Sequence, residues 1–239
     1  MIKYFFSLMA VGLLGLAPLH SQSLSAKEVL EKAISFHDPD GNWANLKTSF
    51  KVVMETPERP KRTSVISVDF PKQEFVLDVT QDGDHYSYIL KNGSCEIMFN
   101  ESKEFTKEEA EKYRLTCERG TMMKDYYTYL YGLPMKLNDP GTHLDPVVQQ
   151  KTFKNKQYVV LKATYDAEVG KDTWYFYFDR STYAMEVYQF FHDETKNDGE
   201  YILLEGLAEV NGIKMPKTRA WYMNKDDKYL GTDTLEKIQ

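Results

Sequence analysis

Residues Thr173 to Phe191, TWYFYFDRSTYAMEVYQFF, decide the fold. In an extended chain successive side chains point to opposite faces, so Trp174, Phe176 and Phe178 share one face while Tyr175 and Tyr177 share the other. A sheet with one wet side alternates apolar and polar residues, and neither face here is plainly polar. After the turn Asp179-Arg180-Ser181 the next run repeats the pattern, with Tyr183, Met185 and Val187 opposite Ala184, Glu186, Tyr188 and Phe190. Apolar residues on both faces require both to be partly covered. A single long antiparallel sheet does this by curling around helices or a ligand. These side chains then either fill a core or line a cavity, and periodicity leaves both open.

The same texture extends in both directions. Upstream, Leu46–Glu55, Ser64–Phe70, Glu74–Thr80, Tyr86–Lys91 and Cys95–Phe99 are short runs rich in Val, Ile, Phe and Tyr, divided by turn clusters that include Asn92-Gly93, a strong hairpin signal. Around the opening stretch lie Val147–Phe153, Tyr158–Tyr165, Tyr201–Val210, Ile213–Met223 and Tyr229–Ile238, with a second Asn-Gly turn at Asn211-Gly212. About a dozen strands are expected. Helices punctuate them at two places. Ser25-Ala26-Lys27-Glu28 is a capping box opening a helix over Ala26–Phe36, which ends at His37-Asp38-Pro39-Asp40-Gly41. Midway, Thr106-Lys107-Glu108-Glu109 opens a polar helix to Leu115. A second helix over Thr121–Tyr131 sets Met122, Tyr126 and Leu130 on one row and Met123, Tyr127 and Tyr131 on the next. Residues Leu137–Pro146, LNDPGTHLDP, read as a loop. The expected fold class is α+β, mainly β: one strongly curved antiparallel sheet, a half-barrel of 11–12 strands, with the N-terminal helix and the mid-chain helical insertion over its concave face.

Residues 1–21, MIKYFFSLMAVGLLGLAPLHS, have the basic, apolar and small-residue order of a secretory signal peptide, and the apolar part is shorter than a membrane-spanning helix needs. The expectation is a single domain over 22–239 in the periplasm or secreted, not membrane-spanning after signal removal, and without a lipid-modified cysteine at the cleavage point. In such a compartment the two cysteines, Cys95 and Cys117, are read as a disulfide, with two buried thiols as the alternative. The remaining composition narrows function. Of 239 residues 14% are aromatic, and 30 Lys plus Arg against 36 Asp plus Glu leave a net charge of −6. The mean hydropathy is −0.54. An acidic chain lacks the electrostatic footprint of nucleic-acid binding, so no nucleic-acid partner is expected.

Several stretches resemble a known superfamily, the periplasmic lipoprotein and lipid carriers of the LolA/LolB type. They are the opening AKEVLEKAISFHD (Ala26–Asp38), the meander with a helical insertion, and EVNGIKMPKTRAWY (Glu209–Tyr222), whose Asn211–Pro216 resembles the hairpin before a late strand of that superfamily. HDPDGNW (His37–Trp43), YLYGLP (Tyr129–Pro134) and WYFYFDRSTY (Trp174–Tyr183) are similar to uncharacterised exported bacterial proteins. The resemblance implies a half-barrel of about eleven strands with helices as a lid over an apolar cavity. The basic residue and lid loop that the familiar carriers use have no recognised counterpart here, so substrate identity does not transfer.

Catalytic patterns are lacking. Apart from His20 in the stretch read as a signal peptide, the histidines His37, His85, His143 and His192 sit at turns or strand ends, three beside acids (Asp38 and Asp40, Asp145, Asp193), without a helical metal-binding pair. Neither a nucleophile elbow nor a phosphate or dinucleotide loop occurs. No enzyme activity, metal or cofactor is expected. The leading expectation is a binding protein for an apolar small molecule or lipid. Met122, Met123, Tyr126, Tyr127 and Leu130 would supply an adaptable lid, and Trp174, Phe176, Phe178 and Trp221 the wall. The alternatives are a packed envelope module that binds a protein partner, and a hydrolase using His143 and Asp145.

Overall fold

The computed structural model describes residues 24–236; the stretch read as a signal peptide lies outside them. The chain opens with α1 (Ala26–His37). The Ser25 hydroxyl accepts the Glu28 N–H, and the Glu28 carboxylate accepts the Ser25 N–H at 2.8 Å, which closes the capping box. Five strands follow: β1 (Lys47–Thr56), β2 (Arg59–Asp69), β3 (Glu74–Gln81), β4 (Asp84–Lys91) and β5 (Ser94–Phe99). Next come α2 (Lys107–Tyr113) and α3 (Cys117–Gly132). The remaining strands are β6 (Thr142–Leu144), β7 (Gln149–Phe153), β8 (Lys156–Tyr165), β9 (Thr173–Asp179), β10 (Met185–Phe191), β11 (Glu200–Val210), β12 (Ile213–Met223) and β13 (Tyr229–Glu236). At both Asn-Gly turns the two central residues have positive φ (48° and 79°, 50° and 78°), the left-handed pair that matches a tight hairpin to the twist of its strands.

All 13 strands form one antiparallel sheet in the order β5-β4-β3-β2-β1-β13-β12-β11-β10-β9-β8-β6, with β7 also paired to β8. Two meandering arms meet where β1 pairs with β13, Val53 opposite Thr234. The segment holding α2 and α3 connects the far edge of one arm to the far edge of the other. It must therefore cross a face of the sheet, and α3 lies there.

The contacts of α3 define the curvature. Its Gly120 abuts the Tyr88 ring on β4. Tyr131 packs on Phe50 of β1 and on Arg219 of β12. Tyr129 meets Trp174 on β9 and the Tyr165 hydroxyl on β8. A helix of 16 residues is about 24 Å long, whereas nine strand spacings from β4 to β8 span about 43 Å in a flat sheet. The sheet can touch one helix at all these points only by wrapping around it, as the expected fold class requires.

Four details differ from the sequence reading. A short strand, β6, and a 3-10 turn at Met135–Asn138 occupy the stretch expected to be a loop, because β8 offers its edge there. The helix α3 starts four residues early, with Thr116 as its cap: the Arg119 N–H donates to the Thr116 hydroxyl at 3.1 Å. The second strand starts at Arg59 and not at the expected Ser64, which leaves a tighter hairpin between β1 and β2 and puts Arg59 and Arg62 in β2. Finally, β10 begins at Met185 with an irregularity between Met185 and Val187, which reverses the expected parity: Met185 and Tyr188 face the concave core and Val187 the convex side.

The concave core joins α1, α3 and both arms, with Phe176, Phe178, Leu161, Ile202 and Tyr188 fully buried. His37 clips α1 to it. The buried imidazole donates from Nδ1 to the Lys214 carbonyl at 2.6 Å, and its Nε2 accepts the Met185 N–H at 2.9 Å. On the convex face Tyr158, Val160, Tyr175, Tyr177 and Val187 form a smaller cluster. Lysine stems cover it, with the Lys151 ammonium 3.8 Å from the Tyr175 ring centre. Aromatics on both strand faces thus have two different covers.

Candidate ligand-binding groove

One part of the concave face is open. Between the β1–β2 hairpin, the ends of β12 and β13, and the first half of α3 lies a groove of about 890 Å³. Its apolar lining comes chiefly from Met54, Met122, Met123, Tyr126, Trp221 and Tyr229. The capped start of α3 at Thr116 sets Met122 and Tyr126 one turn apart, on the face turned to the groove. Met122 is 47% exposed, Tyr126 36% and Tyr229 39%, half of the large apolar side chains left exposed among the described residues. Burial nevertheless raises the Tyr126 phenol well above its usual pKa. A side chain both reachable by solvent and closely surrounded by protein is one that lines a concavity.

The floor carries charge. In register across the sheet, Arg62 of β2 opposes Met54 of β1, Met54 opposes Asp233 of β13, and Asp233 opposes Arg219 of β12. Arg219 is 1% exposed; its guanidinium lies 3.8 Å from the Tyr131 ring centre and donates to the Pro216 carbonyl at 3.0 Å. Asp233 is 5% exposed, and one carboxylate oxygen accepts the Trp221 indole N–H at 3.2 Å. Its other oxygen has no hydrogen-bond partner in the protein. Burial pushes the carboxyl above the usual aspartate range, against the opposing pull of Arg219 and Arg62.

A smaller pocket of about 230 Å³ adjoins the groove, and Arg59, Arg62, Arg119 and Met123 line both. The remaining cations of its wall are Lys112 and Arg114, between Tyr86, Tyr88 and Tyr113. Three contacts hold this wall in place. The disulfide Cys95–Cys117 ties β5 to the first turn of α3, as the cysteine count led one to expect. The Tyr88 hydroxyl donates to the Arg114 carbonyl at 3.0 Å, and the Tyr113 hydroxyl donates to Asp84.

Of the residues expected to meet a ligand, Met122, Met123, Tyr126 and Trp221 come together at the groove. Tyr127, Leu130, Phe176 and Phe178 lie in the core, 0–3% exposed. Trp174 stacks on Phe176 and Phe190 at the other end of the concave face. The arginines, Met54 and Tyr229 were missed. One signal was available: the chain has six arginines against 24 lysines, and four of the six fall in the pairs Arg59/Arg62 and Arg114/Arg119.

The histidine–acid neighbours in sequence are not partners in space. His143 Nε2 meets Asp166 at 2.6 Å and His192 Nδ1 meets Asp172 at 2.7 Å, both on the surface. Asp145 instead accepts the Val147 N–H, and Asp38 accepts those of Asn42 and Trp43. Burial lowers the His37 pKa to about 4, so this imidazole is a neutral structural link. Among the described residues no group of three or more His, Cys, Asp or Glu is placed to hold a metal ion, and no helix is long and apolar enough to cross a membrane.

Among solved structures the chain is similar to a LolA superfamily protein from Nitrosomonas europaea, with 9% identity, 91% of this chain and 94% of that one covered, and a TM-score of 0.49. It is also similar to a DUF1329 family protein from Desulfovibrio piger, with 7% identity, coverage of 88% and 90%, and a TM-score of 0.48. No curated protein matches the chain. One family profile, described as a family of unknown function, matches residues 3–237, and the chain therefore belongs to that family, DUF6503.

Proposed function

We propose that this protein is an exported, non-catalytic binding protein that holds the apolar part of a lipid or acyl chain in the groove beneath α3. The groove itself carries the reading. Its volume of about 890 Å³ lies within the roughly 300–1,000 Å³ of typical ligand sites, and its exposed apolar side chains are gathered rather than scattered. Burying an acyl chain there is favoured by about 25 cal/mol per Å² of apolar surface and needs few polar anchors. Met54, Met122 and Met123 suit chains of varied shape, because the unbranched thioether repacks at little cost. Export is supported by the order of residues 1–21 and by a disulfide, which persists in an oxidising compartment.

The test is native mass spectrometry of the protein purified from its own cells, followed by titration of the delipidated protein with Nile red. The expected results are a co-purifying mass removed by organic extraction and a saturable dye site that oleic acid displaces. Met122→Asp should weaken the dye site by on the order of tenfold, about 1.4 kcal/mol. Delipidated protein with no saturable dye site would overturn the reading.

A further inference from the structure

We propose that the smaller pocket binds phosphate, and that pocket and groove together take one phosphorylated amphiphile, its head among the arginines and its chain across Met54, Met123 and Tyr126. The chain half rests on the apolar-ligand reading above; the head half rests on different observations. In a protein of net charge −6, Arg59, Arg62, Lys112, Arg114 and Arg119 line a single pocket of about 230 Å³, and its lining contains no carboxylate. Four of the chain's six arginines are there.

The two kinds of cation are used differently. Among the described residues every ion pair within 4 Å employs lysine or histidine, and none employs arginine. Lys112, the one lysine of the pocket, faces Asp84 at 3.7 Å, and that carboxylate is also engaged by Tyr113. The four arginines therefore have no carboxylate partner within 4 Å, although their planar forks match phosphate oxygens two at a time. Like charges held together repel, and a dianion placed among them relieves the repulsion that the folded chain leaves in place.

The walls are built before any ligand arrives. The disulfide fixes Cys117 two residues from Arg119, the Thr116 cap orders the Arg119 backbone, and the Tyr88 hydroxyl holds the carbonyl of Arg114. Polarity also orients the amphiphile. The carboxylates Glu58, Glu200 and Asp233 line only the larger groove, so an anionic head is repelled from there and drawn to the arginine end.

Delipidated protein is titrated below micellar concentrations with oleoyl lysophosphatidic acid, with monooleoylglycerol (the same chain without phosphate) and with inorganic phosphate. Lysophosphatidic acid should bind roughly ten- to a hundredfold tighter than monooleoylglycerol, the range expected when hydrogen bonds to a charged group are gained. R62Q/R119Q should abolish that margin, and R114Q, whose side chain lines the pocket and not the groove, should narrow it while leaving monooleoylglycerol binding intact. R119K, which keeps the charge and loses the fork, should give part of the loss, and R180Q, on a distant turn, none. Circular dichroism of each variant checks that it folds. Equal affinity for the two lipids in every variant overturns the phosphate site and leaves the apolar reading standing. Inorganic phosphate binding as tightly as the lipid overturns the single-amphiphile assignment in favour of a free-anion site. Absence of saturable binding by either lipid overturns the apolar reading along with this one.

Discussion

The two halves of the concave face share one sheet and one covering helix, yet one is solid and the other open. On the β8–β11 side Leu161, Phe176, Phe178, Tyr188 and Ile202 are fully buried beneath α1 and the end of α3. On the side where β1, β2, β12 and β13 meet the start of α3, Met122, Tyr126 and Tyr229 stay partly exposed around about 890 Å³ of space. Two causes separate them. The helix α1 packs chiefly on β8 and β12 and is clipped to β10 through His37, so α3 is the helix that roofs the open half. The open half also carries Arg59, Arg62, Arg119 and Asp233, and closing over them would strip water from charges that have no full set of partners. Apolar surface drives collapse; unpaired charge stops it. A curved sheet can hold an open groove beside a filled core when charges are placed on one part of its floor.

Substitutions should separate the halves sharply. Phe176→Ala on the filled side should cost about 3–5 kcal/mol in urea unfolding, since a fully buried ring leaves a cavity that a closed core cannot refill. A cost below about 1 kcal/mol would show that this half is not solid. Breaking the Cys95–Cys117 bridge by Cys95→Ala/Cys117→Ala should cost about 3 kcal/mol, given the 22-residue separation. Because the bridge anchors the roof of the open half, the loss should be accompanied by faster hydrogen exchange in the first turns of α3, and unchanged exchange there would detach the bridge from the groove.

Acid should act through the filled half. His37 is neutral when folded, with its pKa lowered to about 4 by burial, whereas the unfolded imidazole titrates near 6.5. The unfolded chain therefore takes up the proton first. This contribution to stability is intact above pH 6.5 and declines by up to about 3 kcal/mol as the pH falls to about 4. The urea midpoint of His37→Gln should start lower at pH 7 and fall less over that interval; an equal fall in both proteins would remove His37 as the cause. The smallest effect is expected at Met122→Ala, within about 0.5 kcal/mol of the parent in unfolding, because the side chain is half exposed. A cost above about 2 kcal/mol would mean that the groove is closed in solution and the contrast between the halves is false.

Much of the architecture was legible in short-range patterns. The capping boxes at Ser25 and Thr106 open helices, and the Asn-Gly turns at Asn92 and Asn211 close hairpins, since each signal works through hydrogen bonds or φ values within a few residues. The parity of Trp174, Phe176 and Phe178 against Tyr175 and Tyr177 follows from the two-residue period of a strand. Met185–Val187 escaped that logic because an irregularity in pairing with β9 shifts the parity, and no residue there announces it. The site was half legible. Met122, Met123 and Tyr126 were found as a helix face, whereas Trp174 and Phe178, aromatic and on the inward face as well, landed in the filled half.

The sequence by itself determined a mainly β chain with two helical segments, an even cysteine pair, and strands too aromatic to leave either face bare. Only the tertiary structure decided which aromatics fill and which line. That outcome depends on β1 pairing with β13 and on α3 crossing between the far edges of the two arms, contacts between residues from 32 (Tyr88 and Gly120) to 181 (Val53 and Thr234) positions apart. The arginine pocket is of the same kind. Arg59 and Arg62 on a hairpin and Arg114 and Arg119 around a helix start are two separate pairs along the chain, and become one pocket only because the sheet curls far enough to bring β2 under α3. Local propensity has no means of encoding that distance; packing of the whole concave face sets it.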